Sequence, residues 1–155
     1  MSEAGFATDP RLQADTRHVA TLPLCDLRLM DDARYPWLVL VPRRARMVEI
    51  ADLAEADQQQ LWREANQAAA ALRAVAPCDK LNFGALGNIV HQLHLHVVAR
   101  TQGDAAWPGP VWGSGAAVPY ATGTLAARLA ALRQRLEEQD SAAMDGRPFD
   151  PRDQG

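Results

Sequence analysis

Cysteine is scarce in this sequence of 155 residues, which contains only Cys25 and Cys78. Two cysteines so far apart form neither a disulfide framework nor a paired metal-binding motif, and they favour a reducing compartment. The longest strongly apolar run covers residues 37–41, far short of a membrane span. Residues 1–15 lack the basic start and apolar stretch of a signal peptide. These absences predict a cytoplasmic protein without a membrane partner.

An excess of positive charge is also missing. The chain has 16 Lys+Arg against 19 Asp+Glu, for a net charge of -3, and Lys80 is the only lysine. This balance argues against a nucleic-acid partner that is bound by neutralising phosphates. A hydrophobic fraction of 48% at this length fits one domain that can bury a core without disulfides.

Apolar periodicity predicts the order of strands and helices. One or two strands are expected over residues 16–30, a buried strand over 37–41, and strands over 80–86 and 89–100. A long helix is expected over 52–75, with Asp52 and Glu55 in a capping-box spacing, and a last helix over 122–139. Short links between successive strands favour antiparallel pairing, so we predict an α+β fold with about five strands.

Three segments follow from this reading: a flexible N-terminus at 1–15, a main domain at 16–108 and a C-terminal extension at 109–155. The extension carries the last helix and a frayed tail from Ser141. The turn-rich stretch from Trp107 to Trp112 leaves two interpretations open. It is either a lid or dimer arm whose indoles line a base pocket, or a hydrophobic patch that seals the core or a dimer interface.

Three of the four histidines, His91, His94 and His96, lie within six residues. On a strand, alternation places Gln92, His94 and His96 on one face, about 7 Å from each to the next. The opposite, apolar face carries Leu93, Leu95 and Val97. The pattern suits a solvated strand face, a metal site or covalent catalysis. His-x-His can chelate zinc or copper, and a neutral imidazole is a good nucleophile toward phosphorus.

The run Leu93-His94-Leu95-His96-Val97-Val98 resembles the signature of the histidine triad (HIT) family, His-φ-His-φ-His-φ-φ with φ apolar. Three further segments are similar to the family: a strand that ends in proline and basic residues (38–44), a strand with an asparagine (80–84), and a turn before the triad strand (87–88). The resemblance covers residues 16–108, and it is that of a bacterial-type member with Gln92 at the first triad position.

The resemblance implies an antiparallel α+β homodimer whose partner is a nucleotide, attacked at its α-phosphate. It implies that His94 is the nucleophile and that His96 contacts the α-phosphate. The implied substrate contacts are Asn82 beside the ribose and phosphate, Asn88 near the phosphate, Asp31 or its neighbour Asp32 at the ribose hydroxyls, and Arg100, which has a counterpart in part of the family.

Two positions depart from the family pattern. Gln92 replaces the first histidine, and Ala45 stands where many members carry another one. Glutamine can hydrogen-bond His94 and orient it, but it does not titrate. We expect a hydrolase or transferase for dinucleoside polyphosphates or nucleoside phosphoramidates. A nucleotide-binding protein with little turnover and a metal-binding protein are the alternatives. No cofactor is expected to be required, although a divalent cation could chelate a polyphosphate tail.

Overall fold

The computed structural model describes residues 3–144 and residue 146. A short helix α1 (Pro10–Asp15) precedes strands β1 (Thr16–Thr21), β2 (Cys25–Met30) and β3 (Trp37–Pro42). A 3-10 turn (Ile50–Asp52) and the long helix α2 (Glu55–Val75) follow. Strands β4 (Lys80–Gly84) and β5 (Leu95–Arg100) and helix α3 (Thr122–Met144) complete the described chain. None of the described helices combines the length and apolarity needed to cross a membrane.

The five strands form one antiparallel sheet in the order β1-β2-β3-β5-β4. This confirms the predicted α+β class and strand number. Strands β3 and β5 lie at the centre of the sheet, and every residue of both is buried. Their register pairs Val39 with His96 and Leu38 with Val97. The central position of β5 therefore holds His96 between two neighbouring strands.

The two faces of the sheet pack against different layers. One face, called here the helix face, carries Leu38, Leu40, Leu95 and Val97, which join the core beneath α2 and α3. The other, called the site face, carries Trp37, Val39 and Val98, which pack in a second cluster with Tyr35 and Val111. His96 shares the parity of Val98 and therefore lies on the site face. One histidine of the motif is thus set among aromatic and aliphatic neighbours.

Helix α2 forms because its apolar residues recur at helical spacing. Leu61, Ala65, Ala68 and Leu72 are fully buried against the sheet. Glu64 is buried on the same helix, and its carboxylate accepts hydrogen bonds from the backbone N–H groups of Leu24 (2.9 Å) and Cys25 (2.8 Å). These charge-assisted bonds fasten α2 to the start of β2.

Several predicted boundaries are wrong, among them the end of the strand predicted over 80–86, which ends at Gly84. Helix α2 begins at Glu55, because Asp52 belongs to the 3-10 turn and accepts from the N–H of Glu49 (2.8 Å). The strand predicted over 89–100 begins only at Leu95. The last helix extends past residue 139 to Met144, where the tail was predicted to fray; residues 145 and 147–155 lie outside the described residues.

The N-terminal segment, predicted to be flexible, contains helix α1. Asp9 caps this helix by accepting from the N–H of Arg11 (2.8 Å), and Pro10 occupies its first turn. Leu12 is buried in the site-face cluster. Asp-Pro is a helix-start signal, but six residues are too few to show an apolar period.

Candidate active site

The hydrogen bond made by His94 fixes which of its ring nitrogens carries the proton. His94 Nδ1 lies 2.6 Å from the backbone carbonyl oxygen of Gln92. A carbonyl only accepts, so Nδ1 must donate. In the neutral ring the lone pair is therefore on Nε2. That nitrogen is the one available for attack on an electrophile.

His96 is held in the opposite tautomer. The indole Nε1 of Trp37 donates to His96 Nδ1 over 2.9 Å, and indole nitrogen cannot accept. The proton of the neutral His96 ring is therefore on Nε2. The two imidazole rings meet edge to face with centroids 4.8 Å apart. The site thus presents a nitrogen lone pair beside a nitrogen donor.

Burial keeps His96 neutral. The side chain is 5% exposed, and desolvation, together with the neighbouring His94, lowers the pKa of His96 to about 3. A group with such a pKa carries no charge at neutral pH. His96 can therefore donate a hydrogen bond throughout the physiological range without changing its protonation state.

This burial predicts a pH dependence of stability. In the unfolded chain His96 titrates near 6.5, so between that pH and about 3 the unfolded state binds a proton that the folded state does not. The free energy of unfolding should fall as pH falls, by up to about 1.4 kcal/mol per pH unit. In urea denaturation from pH 7.5 to 4, we expect His96→Asn to show a shallower fall than wild type. Parallel curves would contradict the prediction.

Gln92 does not lie on a strand face with the two histidines, as the sequence analysis predicted, since β5 starts three residues later. Its side chain contacts the N-terminal segment: Oε1 accepts from the N–H of Asp9 (2.8 Å) and Nε2 donates to the carbonyl of Ala7 (2.8 Å). The contact with His94 is made by the Gln92 backbone carbonyl instead.

Asn82 and Arg100 lie together on the site face. Asn82 on β4 pairs with Val98, two residues from His96 along β5, and its Oδ1 accepts from Arg100 Nη1 (2.9 Å). The Arg100 guanidinium also forms two bonds with the Asp104 carboxylate, 2.8 Å from Nε and 2.9 Å from Nη2. These bonds give Arg100 a structural ion pair, which the predicted substrate role did not anticipate. The Asn82 amide is oriented by the same pair.

Asn88 shares a cavity of about 300 Å³ with His94. The turn before Asn88 depends on Gly87, whose φ of +65° favours glycine. The other residues that line this cavity are Val48, Glu49, Ala85, Leu86, Gly87, His91, Gln92 and Leu93. The structure therefore brings Asn88, Gln92 and His94 to one concave surface. A larger cavity of about 520 Å³ lies on the helix side, between α2 and α3, and its lining includes no histidine.

Asp31 binds the protein's own groups. Its Oδ1 accepts from the N–H of Tyr120 (2.8 Å), and its Oδ2 accepts from Arg17 (3.1 Å). The neighbouring Asp32 is buried and holds Arg34 through both oxygens. Both aspartates fasten the C-terminal stretch to the end of β2, because Asp32 accepts from the N–H of Val118 as Asp31 does from that of Tyr120. Their hydrogen bonds go to these groups and to Arg17 and Arg34, rather than to the histidines or asparagines of the site.

Trp112 packs against His96 and Trp37 on the site face. Its ring lies 5.5 Å from the His96 ring and 6.2 Å from the Trp37 ring. Gly84 makes this approach possible, because a Cβ there would come 3.0 Å from the Trp112 ring. The stretch from Trp107 therefore covers the site face beside His96. Val111 is buried, which agrees with the interpretation of this stretch as a hydrophobic patch that seals the core. Trp112, in contrast, borders the site itself.

Sequence reasoning missed Trp37 as a site residue. It was assigned only to a buried strand. The available signal was that Trp37, Val39 and Val41 occupy alternate positions of β3 and so lie on the same face of the sheet. The register between β3 and β5 is also needed to place the indole against His96. Within residues 3–144, no group of three or more His, Cys, Asp and Glu side chains could hold a metal ion.

The site therefore contains two contacting imidazole rings in opposite tautomers, with His94 directly before β5 and His96 within it. The model of the HIT domain matches residues 11–103. The chain therefore belongs to the HIT domain family, which comprises nucleotide-binding and hydrolase-type proteins.

Solved structures agree with this assignment. A histidine triad protein from Sinorhizobium meliloti is 46% identical, with a TM-score of 0.84 and coverage of 86% of this chain and 99% of that one. One from Bradyrhizobium japonicum is 45% identical, with a TM-score of 0.82 and coverage of 84% and 98%. One from Marinobacter aquaeolei is 44% identical, with a TM-score of 0.83 and coverage of 86% and 97%. No curated protein matches the chain.

Proposed function

We propose that the protein is a nucleotide hydrolase or transferase that acts at the α-phosphate of dinucleoside polyphosphates or nucleoside phosphoramidates. The reaction passes through a nucleotidyl group on His94. The observation that carries the proposal is the opposite tautomers of His94 and His96, set by the Gln92 carbonyl and the Trp37 indole. His94 can therefore act as the nucleophile beside His96, which donates a hydrogen bond and stays neutral at physiological pH.

In the first step, the lone pair of His94 Nε2 attacks the α-phosphorus and the bond to the leaving group breaks. The electron pair of that bond leaves with the phosphate, or with the amine, which takes a proton from solvent as it departs; the water that attacks in the second step returns a proton to solvent. The Nε2–H of His96 donates to the phosphoryl oxygen or the leaving atom as charge develops there. In the second step, water attacks the phosphorus, the N–P bond breaks, and nucleoside monophosphate is released with His94 restored. A second alcohol or phosphate in place of water gives transfer.

We propose roles for the neighbouring residues that are consistent with their placement. Asn88 lines the cavity that His94 reaches and can donate to the phosphate. Asn82 turns its Oδ1 to Arg100, which leaves its amide hydrogens for the ribose and phosphate. Arg43 and Arg44 already pair with carboxylates of the protein, so we assign no phosphate to them.

The proposal requires no cofactor, because imidazole supplies the nucleophile. A divalent cation would enter with a polyphosphate substrate. A second copy of the chain is the proposed protein partner. Strand β4 is an edge strand, and exposed Phe83 on it meets exposed Trp62 of α2 with ring centroids 6.3 Å apart, which gives this edge an aromatic surface.

The proposal is tested by intact-protein mass spectrometry after brief incubation with diadenosine polyphosphate or adenosine phosphoramidate and a rapid quench that preserves the adduct. We expect wild type to carry an acid-labile adenylyl group and to release adenosine monophosphate, and His94→Ala to show neither. The variant controls for adducts elsewhere on the chain.

A wild-type protein that binds the nucleotide but forms no adduct and releases no monophosphate would overturn the proposal. That result would favour a nucleotide-binding protein with little turnover, with Gln92 and Ala45 as the residues to examine. Stoichiometric metal in purified wild type, lost in His94→Ala or His96→Ala, would favour the metal-binding alternative.

A further inference from the structure

The side chain of Gln92 forms a two-bond clamp on the N-terminal segment. Its Oε1 accepts from the N–H of Asp9 and its Nε2 donates to the carbonyl of Ala7, each over 2.8 Å. Both bonds join residues more than 80 positions apart in sequence. A primary amide fits this arrangement because it presents one acceptor and one donor side by side.

The clamp acts at the residue whose carbonyl fixes the His94 tautomer. Residues 89–94 precede β5 and belong to no strand. The peptide unit between Gln92 and Leu93 is held on one side by the Leu93 N–H, which donates to the carbonyl of Met47 (2.9 Å). On the other side it is held through the Gln92 side chain. The carbonyl that accepts from His94 therefore depends on contacts from outside its own segment.

The N-terminal segment is a firm support for the clamp. Asp9 caps helix α1, and Leu12 of that helix is buried in the site-face cluster. Phe6 packs against the same cluster, which includes Trp37 and Val39. The clamp thus ties the segment before β5 to the layer that also holds His96.

We infer that Gln92 is a positioning residue: its amide, anchored on Ala7 and Asp9, holds the Gln92 carbonyl where it fixes His94 with the proton on Nδ1. The importance of this for turnover rests on the proposed role of His94 as nucleophile. The inference also explains the missing first histidine. An imidazole ring points its two nitrogens in diverging directions and cannot pair with both Ala7 and Asp9, so Gln92→His loses the clamp.

The test compares Gln92→Ala, Gln92→His and Asp9→Pro, with Asp9→Ala as the matched control. Proline removes the N–H that donates to Gln92 and suits Asp9, whose φ is -51°. Both Asp9 variants lose the helix cap, but only Asp9→Pro loses the clamp bond. Nitrogen-15 NMR of the His94 ring, without nucleotide, reports the tautomer. We expect one tautomer, with Nδ1 protonated, in wild type and Asp9→Ala, and a mixture in the other three.

The rate of adenylyl-His94 formation from adenosine phosphoramidate gives the second readout. We expect it to fall about tenfold or more in the three variants that lose one or both bonds of the clamp, because the nucleophile is no longer held in one orientation. The double variant Gln92→Ala/Asp9→Pro should be no slower than the slower single variant, since both remove the same contact.

Unchanged His94 tautomers in Gln92→Ala and Asp9→Pro would overturn the inference. A double variant in which the rate of adduct formation falls by the product of the two single-variant factors would also overturn it. Should Gln92→Ala fail to fold, Gln92→Glu serves instead, because it keeps the acceptor for Asp9 and loses the donor to Ala7. The NMR readout needs no substrate. If wild type forms no adduct, the proposed function fails. The NMR measurement of the His94 tautomer in the variants still tests the positioning role of Gln92.

Discussion

Replacing His94 by glycine should lower the release of nucleoside monophosphate by at least about 10³-fold, as is typical when a covalent nucleophile is removed. The loss should appear in kcat rather than in KM, because the Gln92 carbonyl, Asn88 and His96 are unchanged. Steady-state kinetics with adenosine phosphoramidate measures both parameters. His94→Gly also opens room beside the existing cavity of about 300 Å³, which allows a small molecule to enter.

Added imidazole should restore part of the lost activity in His94→Gly. The free imidazole would take the adenylyl group, so the intermediate would be found in solution as adenylyl-imidazole rather than on the protein. His96→Gly is the control: its adduct should remain on His94 whether or not imidazole is present. Turnover in His94→Gly within tenfold of wild type, without imidazole, would show that His94 is not the nucleophile.

The sequence predicted those parts of the fold that local pattern determines. Alternation located β2, a continuous apolar run located β3, and helical spacing located α2 because its buried residues repeat regularly. Strand β5 was predicted too long because Leu93 is buried like a strand residue, although its N–H bonds to Met47 outside the sheet. Burial and strand pairing are separate properties, and only burial is visible in apolar alternation.

The site residues illustrate the same limit. His94 and His96 were found from their spacing and their resemblance to a family motif, and the structure places their rings in contact. The groups that set their tautomers, the Gln92 carbonyl and the Trp37 indole, come from backbone geometry and strand register. The carbonyl leaves no signal in residue identity, and the indole can be placed against His96 only once the register between β3 and β5 is known. The same applies to Arg100, whose charge is matched by Asp104 four residues later only because the turn after β5 folds back.

Replacing Arg100 by methionine should lower the free energy of unfolding by about 3–5 kcal/mol, which is typical when one partner of a buried ion pair is removed. Arg100 is 2% exposed and the Asp104 side chain is 7% exposed, so the carboxylate would lose its counter-charge without gaining water. Hydrogen bonds from Arg100 also hold the pKa of Asp104 at about 2 in the native protein, and that pKa should rise in the variant. Urea denaturation at pH 7 measures the loss.

Two comparisons separate the ion pair from a role in binding. Arg11→Met breaks a solvent-exposed pair with Asp15 and should cost less than about 1 kcal/mol. The double variant Arg100→Met/Asp104→Ala should lose less free energy of unfolding than the two single variants lose together, because neither charge is then left buried alone. Additive losses would contradict a coupled pair. If Arg100→Met instead kept its stability and raised KM for the nucleotide, the substrate contact implied by the family resemblance would be correct and the structural assignment wrong.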